Sequence, residues 1–160
     1  MPIKFGDFVF TLKSGILIPI LVLIPNFVWV VLPKVKSTVS PSEPLLLTIF
    51  ENMGRFATLL IPLFYAIQWQ KKYAILILTL MGTALLIYYI AWGRYFFNGR
   101  SPQWMSKPLF GIPLPLATAP ILIFILSSYI LGSWWMLLAS LVFGFAHIWI
   151  SALTLKSETI

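Results

Sequence analysis

The sequence predicts an all-α integral membrane bundle of about five transmembrane helices, some of them kinked at proline. Three observations lead there. Hydrophobic residues make up 60% of the 160-residue chain and charged residues only 9%, with a mean hydropathy of +0.97. A soluble domain of this size carries roughly a quarter charged residues to cover its surface. The apolar residues also come in long continuous runs, as helices crossing a bilayer require. They do not alternate with period two, which argues against a membrane β-barrel.

Residues 1–13, MPIKFGDFVFTLK, mix Phe with Lys and Asp and read as a short interfacial segment. A cleaved leader fits the start of the chain less well, because no alanine precedes Ala57 to form an A-x-A site. The first span is expected at 15–33, with Pro19 and Pro25 bending it and Asn26 as a polar interruption. The Ser-, Pro- and Lys-rich stretch from Lys34 to Pro44 is loop chemistry. The second span follows at 45–68, started by Pro44 and ended at Trp69, Lys71 and Lys72.

The third span is expected at 73–93. It exits into a loop over 94–113 that contains the turn dipeptides Asn98-Gly99 and Ser101-Pro102. Tyr95, Phe96, Phe97 and Trp104 suggest that this loop lies on the membrane interface. From Leu109 to Leu155 there is no Asp, Glu, Lys or Arg. That run is too long for one span and long enough for two. The break belongs at Leu131–Trp135, giving spans at 114–131 and 134–154 within a single transmembrane domain over 1–160. Alternation puts the N-terminus, 69–72 and 131–134 at one side. The other side then takes 34–44, 94–113 and the C-terminus, with Lys34, Lys36, Arg94, Arg100, Lys107 and Lys156. The excess of bases there predicts a multi-pass protein of the cell membrane, N-terminus outside and C-terminus cytoplasmic.

Composition limits the chemistry. Without cysteine there are no disulfides, no thiol catalysis and no cysteine metal ligands. The single histidine, His147, cannot build a bis-histidine haem site or a multi-histidine metal site within one chain. No cofactor or metal is expected. The net charge of +7 comes from bases flanking apolar runs, which marks contact with anionic headgroups of the lipid bilayer rather than with nucleic acid.

The candidate site lies within the spans. Thr48, Glu51, Arg55 and Thr58 recur at three, four and three residues, one helical face, with Asn52 beside it. Glu51 and Arg55 are i and i+4, a spacing at which carboxylate and guanidinium touch. Charges in a span must face the bundle or a wet cavity. The last span carries a second stripe, Ser140, Gly144, His147, Ser151 and Thr154, of small and polar residues suited to close helix packing. Tyr88, Tyr89 and Arg94 end the third span on the same side. The expected ligand-binding set is Glu51, Asn52, Arg55, Tyr89, Arg94, His147 and Ser151.

Such a set suits binding or transport of a small amphipathic or anionic molecule, such as a lipid. Arg55 would hold the anion, and Glu51 or His147 would handle a proton. A bundle this small would be expected to act as a homo-oligomer or with a membrane protein partner. The alternative is a non-catalytic membrane subunit or assembly factor with the stripes as docking surfaces. A third reading, a lipid-modifying intramembrane enzyme, has less support, because no H-E-x-x-H, G-x-S-x-G or Asp-rich metal motif occurs.

Overall fold

The computed structural model describes residues 15–32, 44–101 and 103–158, with side chains described through Thr154. The expected interfacial segment 1–13, all but Pro44 of the 34–44 loop, Pro102 and the side chain of Lys156 lie outside the described residues. Among the described residues the regular elements are all helical. The chain forms α1 (Leu17–Val31), α2 (Leu45–Leu60), α3 (Ala74–Phe97), α4 (Gln103–Ser106), α5 (Pro115–Leu131) and α6 (Trp134–Glu158), with a 3-10 turn at Ile61–Phe64 after α2.

The helix boundaries follow from local chemistry. Pro62 has no N–H to continue α2 and its ring crowds the preceding turn, so the helix tightens into the 3-10 turn and stops short of the expected residue 68. Pro115 opens α5, where a missing N–H costs nothing. Gly132 closes it at φ +65°, its N–H reaching the carbonyls of Ser128 and Tyr129. Ser133 then caps α6, its hydroxyl accepting from the N–H of Met136 at 3.2 Å. α6 starts at the expected residue 134 and runs past 154 to Glu158. α3 continues four residues beyond the expected 93, so Tyr95 is not an interface aromatic but a buried one, 4% exposed.

Three helical stretches are long and apolar enough to cross a membrane: Leu45–Phe64, Ala74–Phe97 and Trp134–Thr154. α1 and α5 are apolar but have only 15 and 17 residues. At 1.5 Å per residue they reach about 22 and 25 Å, against a hydrocarbon core of about 30 Å.

Across the bundle α2 packs on α6, α6 on α5, and α5 on α3, while α1 rests on α3 and α5. Two glycines set the close contacts. A Cβ on Gly54 of α2 would lie 2.6 Å from the backbone nitrogen of Phe143 in α6, and one on Gly144 would lie 2.7 Å from the Ile121 side chain of α5. Side-chain bonds hold α1 to α3. Asn26 donates to Tyr88 Oη at 2.8 Å, Trp29 Nε1 to Tyr95 Oη at 3.2 Å, and Tyr89 Oη to the Leu21 carbonyl at 2.7 Å. At one end of the bundle Gly15 N–H reaches Tyr65 O at 2.9 Å, and Gln68 N–H and Nε2 reach Ile130 O and Leu131 O at 2.9 and 3.1 Å. Lys71 Nζ reaches Tyr129 O there at 2.5 Å. The start of α1, the end of α2 and the end of α5 therefore meet, as an alternating up-and-down path requires. The outer surface is strongly apolar: Phe97, Val31, Trp134 and Ile75 are each more than 80% exposed.

Candidate functional site

The α2–α6 seam gathers the polar residues. α2 turns Glu51, Gly54 and Thr58 inward, spaced by three and four residues, so they form one contact face. Gly54 lets that face lie directly against the backbone of Phe143, and this close approach brings Glu51 within reach of His147. Glu51, 7% exposed, is the hub. Its Oε1 accepts from Arg55 Nη2, one turn further along α2, and from His147 Nδ1 of α6 at 2.7 Å. Both contacts end on the same oxygen, so Oε2 lies outside them. Phe143 supports the partners: its ring stacks on His147 at 4.9 Å and 18°, and the Arg55 guanidinium lies over it at 5.9 Å.

Several groups around this hub are not taken up by the described residues. The Arg55 side chain is 47% exposed, and its contact with Glu51 uses Nη2 alone. Asn52, roughly 100° round the helix from Glu51, is exposed on the outer face of α2. His147 is 24% exposed in its side chain, and Nε2 is not among the buried unpartnered atoms, so it reaches the molecular surface. Ser151 follows one turn after His147 and is half-buried. On the same helix Ser140 and Thr154 donate to the carbonyls of Met136 and Ile150, at 2.6 and 3.1 Å. Ser151 makes no such bond among the described residues, which leaves its hydroxyl for a neighbour.

Of the seven residues read from the sequence, Glu51, Arg55 and His147 come into contact, with Asn52 and Ser151 at the margin. Tyr89 and Arg94 stand apart on α3. Tyr89 donates to α1, as above. Arg94 donates from Nη1 to Pro108 O at 2.9 Å and from Nη2 to Lys107 O at 2.6 Å, holding the 98–114 loop against α3. Its guanidinium also faces the Trp104 ring at 5.6 Å, and Lys107 Nζ covers the same ring at 4.0 Å. The second stripe divides as well: His147 faces α2, whereas Gly144 packs on α5. A groove of about 530 Å³ opens between α5 and α6, lined by Ile121, Ile125, Leu141, Phe145 and Trp149 among others and by none of the Glu51 cluster.

Gly54 and Phe143 carry the geometry of the site and are missing from the sequence-derived set. Gly54 does have a signal: it stands three residues after Glu51 and four before Thr58, the small position of that same face. Among the described residues no group of three or more potential metal ligands occurs. No family model, curated protein or solved structure matches this chain. The functional reading therefore rests on the residues and their geometry.

Proposed function

We propose that the protein is a multi-pass membrane protein of about five crossings that binds, and moves between sites in or across the bilayer, a small anionic or amphipathic molecule at the α2–α6 seam. The observation that carries this reading is the half-exposed guanidinium of Arg55. A cation in a membrane helix costs roughly 2.5–3.5 kcal/mol on insertion scales unless it is compensated. Glu51 compensates it in part, but shares the contacting oxygen with His147. Arg55 keeps donors directed outward beside the exposed amide of Asn52, and an anion is the group that completes them. Arg55 lies about 15 Å along α2 from Leu45 and Glu51 about 9 Å, so the site sits below the headgroup layer of a typical bilayer. A molecule reaching it from the lipid phase passes along the outer face of α2, where Asn52 stands one turn before Arg55. α1 and α5 would cross at the cost of local bilayer thinning. The excess of bases at the 94–113 side supports a cytoplasmic placement of that side in the cell membrane.

The test is native mass spectrometry of the protein gently extracted from its own membranes. A discrete small-molecule adduct is expected on the wild type and absent from Arg55→Gln at equal yield. A stoichiometric protein partner with no such adduct would favour the docking alternative, in which Arg55 answers an acidic residue of another membrane chain.

A further inference from the structure

With Glu51 ionised and His147 neutral, the charges at the seam balance before any ligand arrives. Glu51 contributes one negative charge, Arg55 one positive, and a neutral imidazole none. Arg55 can only donate, and an ionised Glu51 can only accept, so with Glu51 ionised its Oε1 accepts from Arg55 and from Nδ1 of His147. Nδ1 therefore carries the ring hydrogen of the neutral form and Nε2 keeps its lone pair. Nε2 reaches the surface and has no partner among the described residues. An anion arriving at Arg55 leaves the cluster with one net negative charge inside an apolar span, which is costly to hold. One proton on Nε2 removes that charge. Glu51 then faces two cations through Oε1, and the new N–H donates outward toward the ligand or Ser151. Among the described residues Glu51 and Arg55 are the charged groups that face His147: α4 and the 3-10 turn, which also touch α6, carry no titratable residue, and α5 has only Tyr129, at the opposite end of the bundle.

We infer that the α2–α6 site takes up an anion together with one proton, the proton settling on Nε2 of His147, an inference that rests on the anion reading of Arg55. Chemically the cargo is a weak acid, or an anion accompanied by a proton from solution. No bond to carbon or phosphorus changes; one N–H bond forms on binding and breaks on release. Movement of the ligand is then tied to movement of a proton, and a proton gradient across the membrane would drive it.

The experiment is calorimetric titration of the purified protein with dihexanoyl phosphatidylglycerol, a phosphodiester anion that is fully ionised near neutrality and carries no proton of its own. Titrations on the alkaline side of neutrality are run in buffers of different ionisation enthalpy. The slope of apparent enthalpy against buffer enthalpy counts the protons taken up. The wild type is expected to take up close to one proton per anion. His147→Gln is expected to bind, more weakly, and take up none. Arg55→Gln is expected not to bind. Binding by the wild type without proton uptake would overturn the inference and leave the anion reading intact, as would unchanged uptake in His147→Gln. No preference of the wild type for this lipid over dihexanoyl phosphatidylcholine would overturn both.

Discussion

Glu51 joins two helices through one oxygen, and this sets the consequences of single substitutions. Removing its carboxylate leaves Arg55 and His147 without their common acceptor, whereas removing Arg55 leaves the Glu51–His147 bond in place. Glu51→Ala is therefore expected to lower the melting temperature in detergent more than Arg55→Ala does, and a reversed order would show that Arg55 is the structural member. Gly54 is equally exposed to test. An alanine there puts a methyl group 2.6 Å from the Phe143 backbone nitrogen, and backbone cannot move aside as a side-chain tip can. Overpacking of this kind costs about 1–3 kcal/mol. Gly54→Ala should lose thermal stability on that scale and weaken the contact between Glu51 and His147. The i, i+4 pairing of Glu51 with Arg55 was legible in the sequence because helix geometry fixes it locally. So was the placing of His147 and Ser151 on one face of the last helix. Tyr89 and Arg94 read as part of the same site because they share its end of the bundle. Spacing along one helix does not say which helix is its neighbour, and α3 packs on α5 and α1.

Among the elements, α1 is held by polar side chains as much as by apolar packing. The Asn26–Tyr88 bond sits in the interface, with Tyr88 only 2% exposed. Interhelical hydrogen bonds in membrane bundles contribute about 0.6 kcal/mol on average and at most about 1.7. Tyr88→Phe should destabilise the protein within that range, read as a small drop in melting temperature with unchanged helical content. The α5–α6 turn should be more sensitive. Gly132 holds φ +65°, and a Cβ there would also meet Gln68 Nε2 at 2.8 Å. The left-handed conformation costs an ordinary residue about 1–2 kcal/mol. Gly132→Ala is expected to destabilise by at least that much, and thermal denaturation would read it directly. The helix start at 45 and the break between α5 and α6 could be read from Pro44 and the LGSWW stretch, since proline and glycine act on their own backbone; α5 starts at Pro115, one residue after the expected 114. The early stop of α2 before Pro62 is hidden in the sequence by an apolar run of a length that suits a span. The continuation of α3 to Phe97 is hidden in the sequence because Arg94 reads as a terminus, although its long side chain folds back to the loop carbonyls.

For the whole molecule, the strongly apolar surface and the alternating path of the helices are the features that bear on the membrane. The absence of cysteine makes topology easy to measure, because any introduced thiol is unique. Lys72→Cys, in the α2–α3 connection, and Lys107→Cys, in the α3–α5 loop, are both at exposed positions. In intact cells an impermeant thiol reagent is expected to label the first and not the second until the membrane is opened. Labelling of both from one side would end the account of α3 as a crossing helix. Composition alone points to a membrane protein, and three helices long and apolar enough to cross a membrane are compatible with that reading. The assembly of the site was only partly legible, because it depends on the depth at which Gly54 lets α6 approach α2. The central claim is that Arg55 serves a ligand rather than the fold. It is tested most directly by melting curves of wild type and Arg55→Gln in delipidated detergent solution, before and after returning an extract of the native lipids. A ligand that binds the folded state stabilises it in proportion to its affinity. The account predicts similar melting of the two proteins without lipid, and a rise on lipid return in the wild type alone. A lower melting temperature for Arg55→Gln without lipid, followed by an equal rise in both, would contradict it.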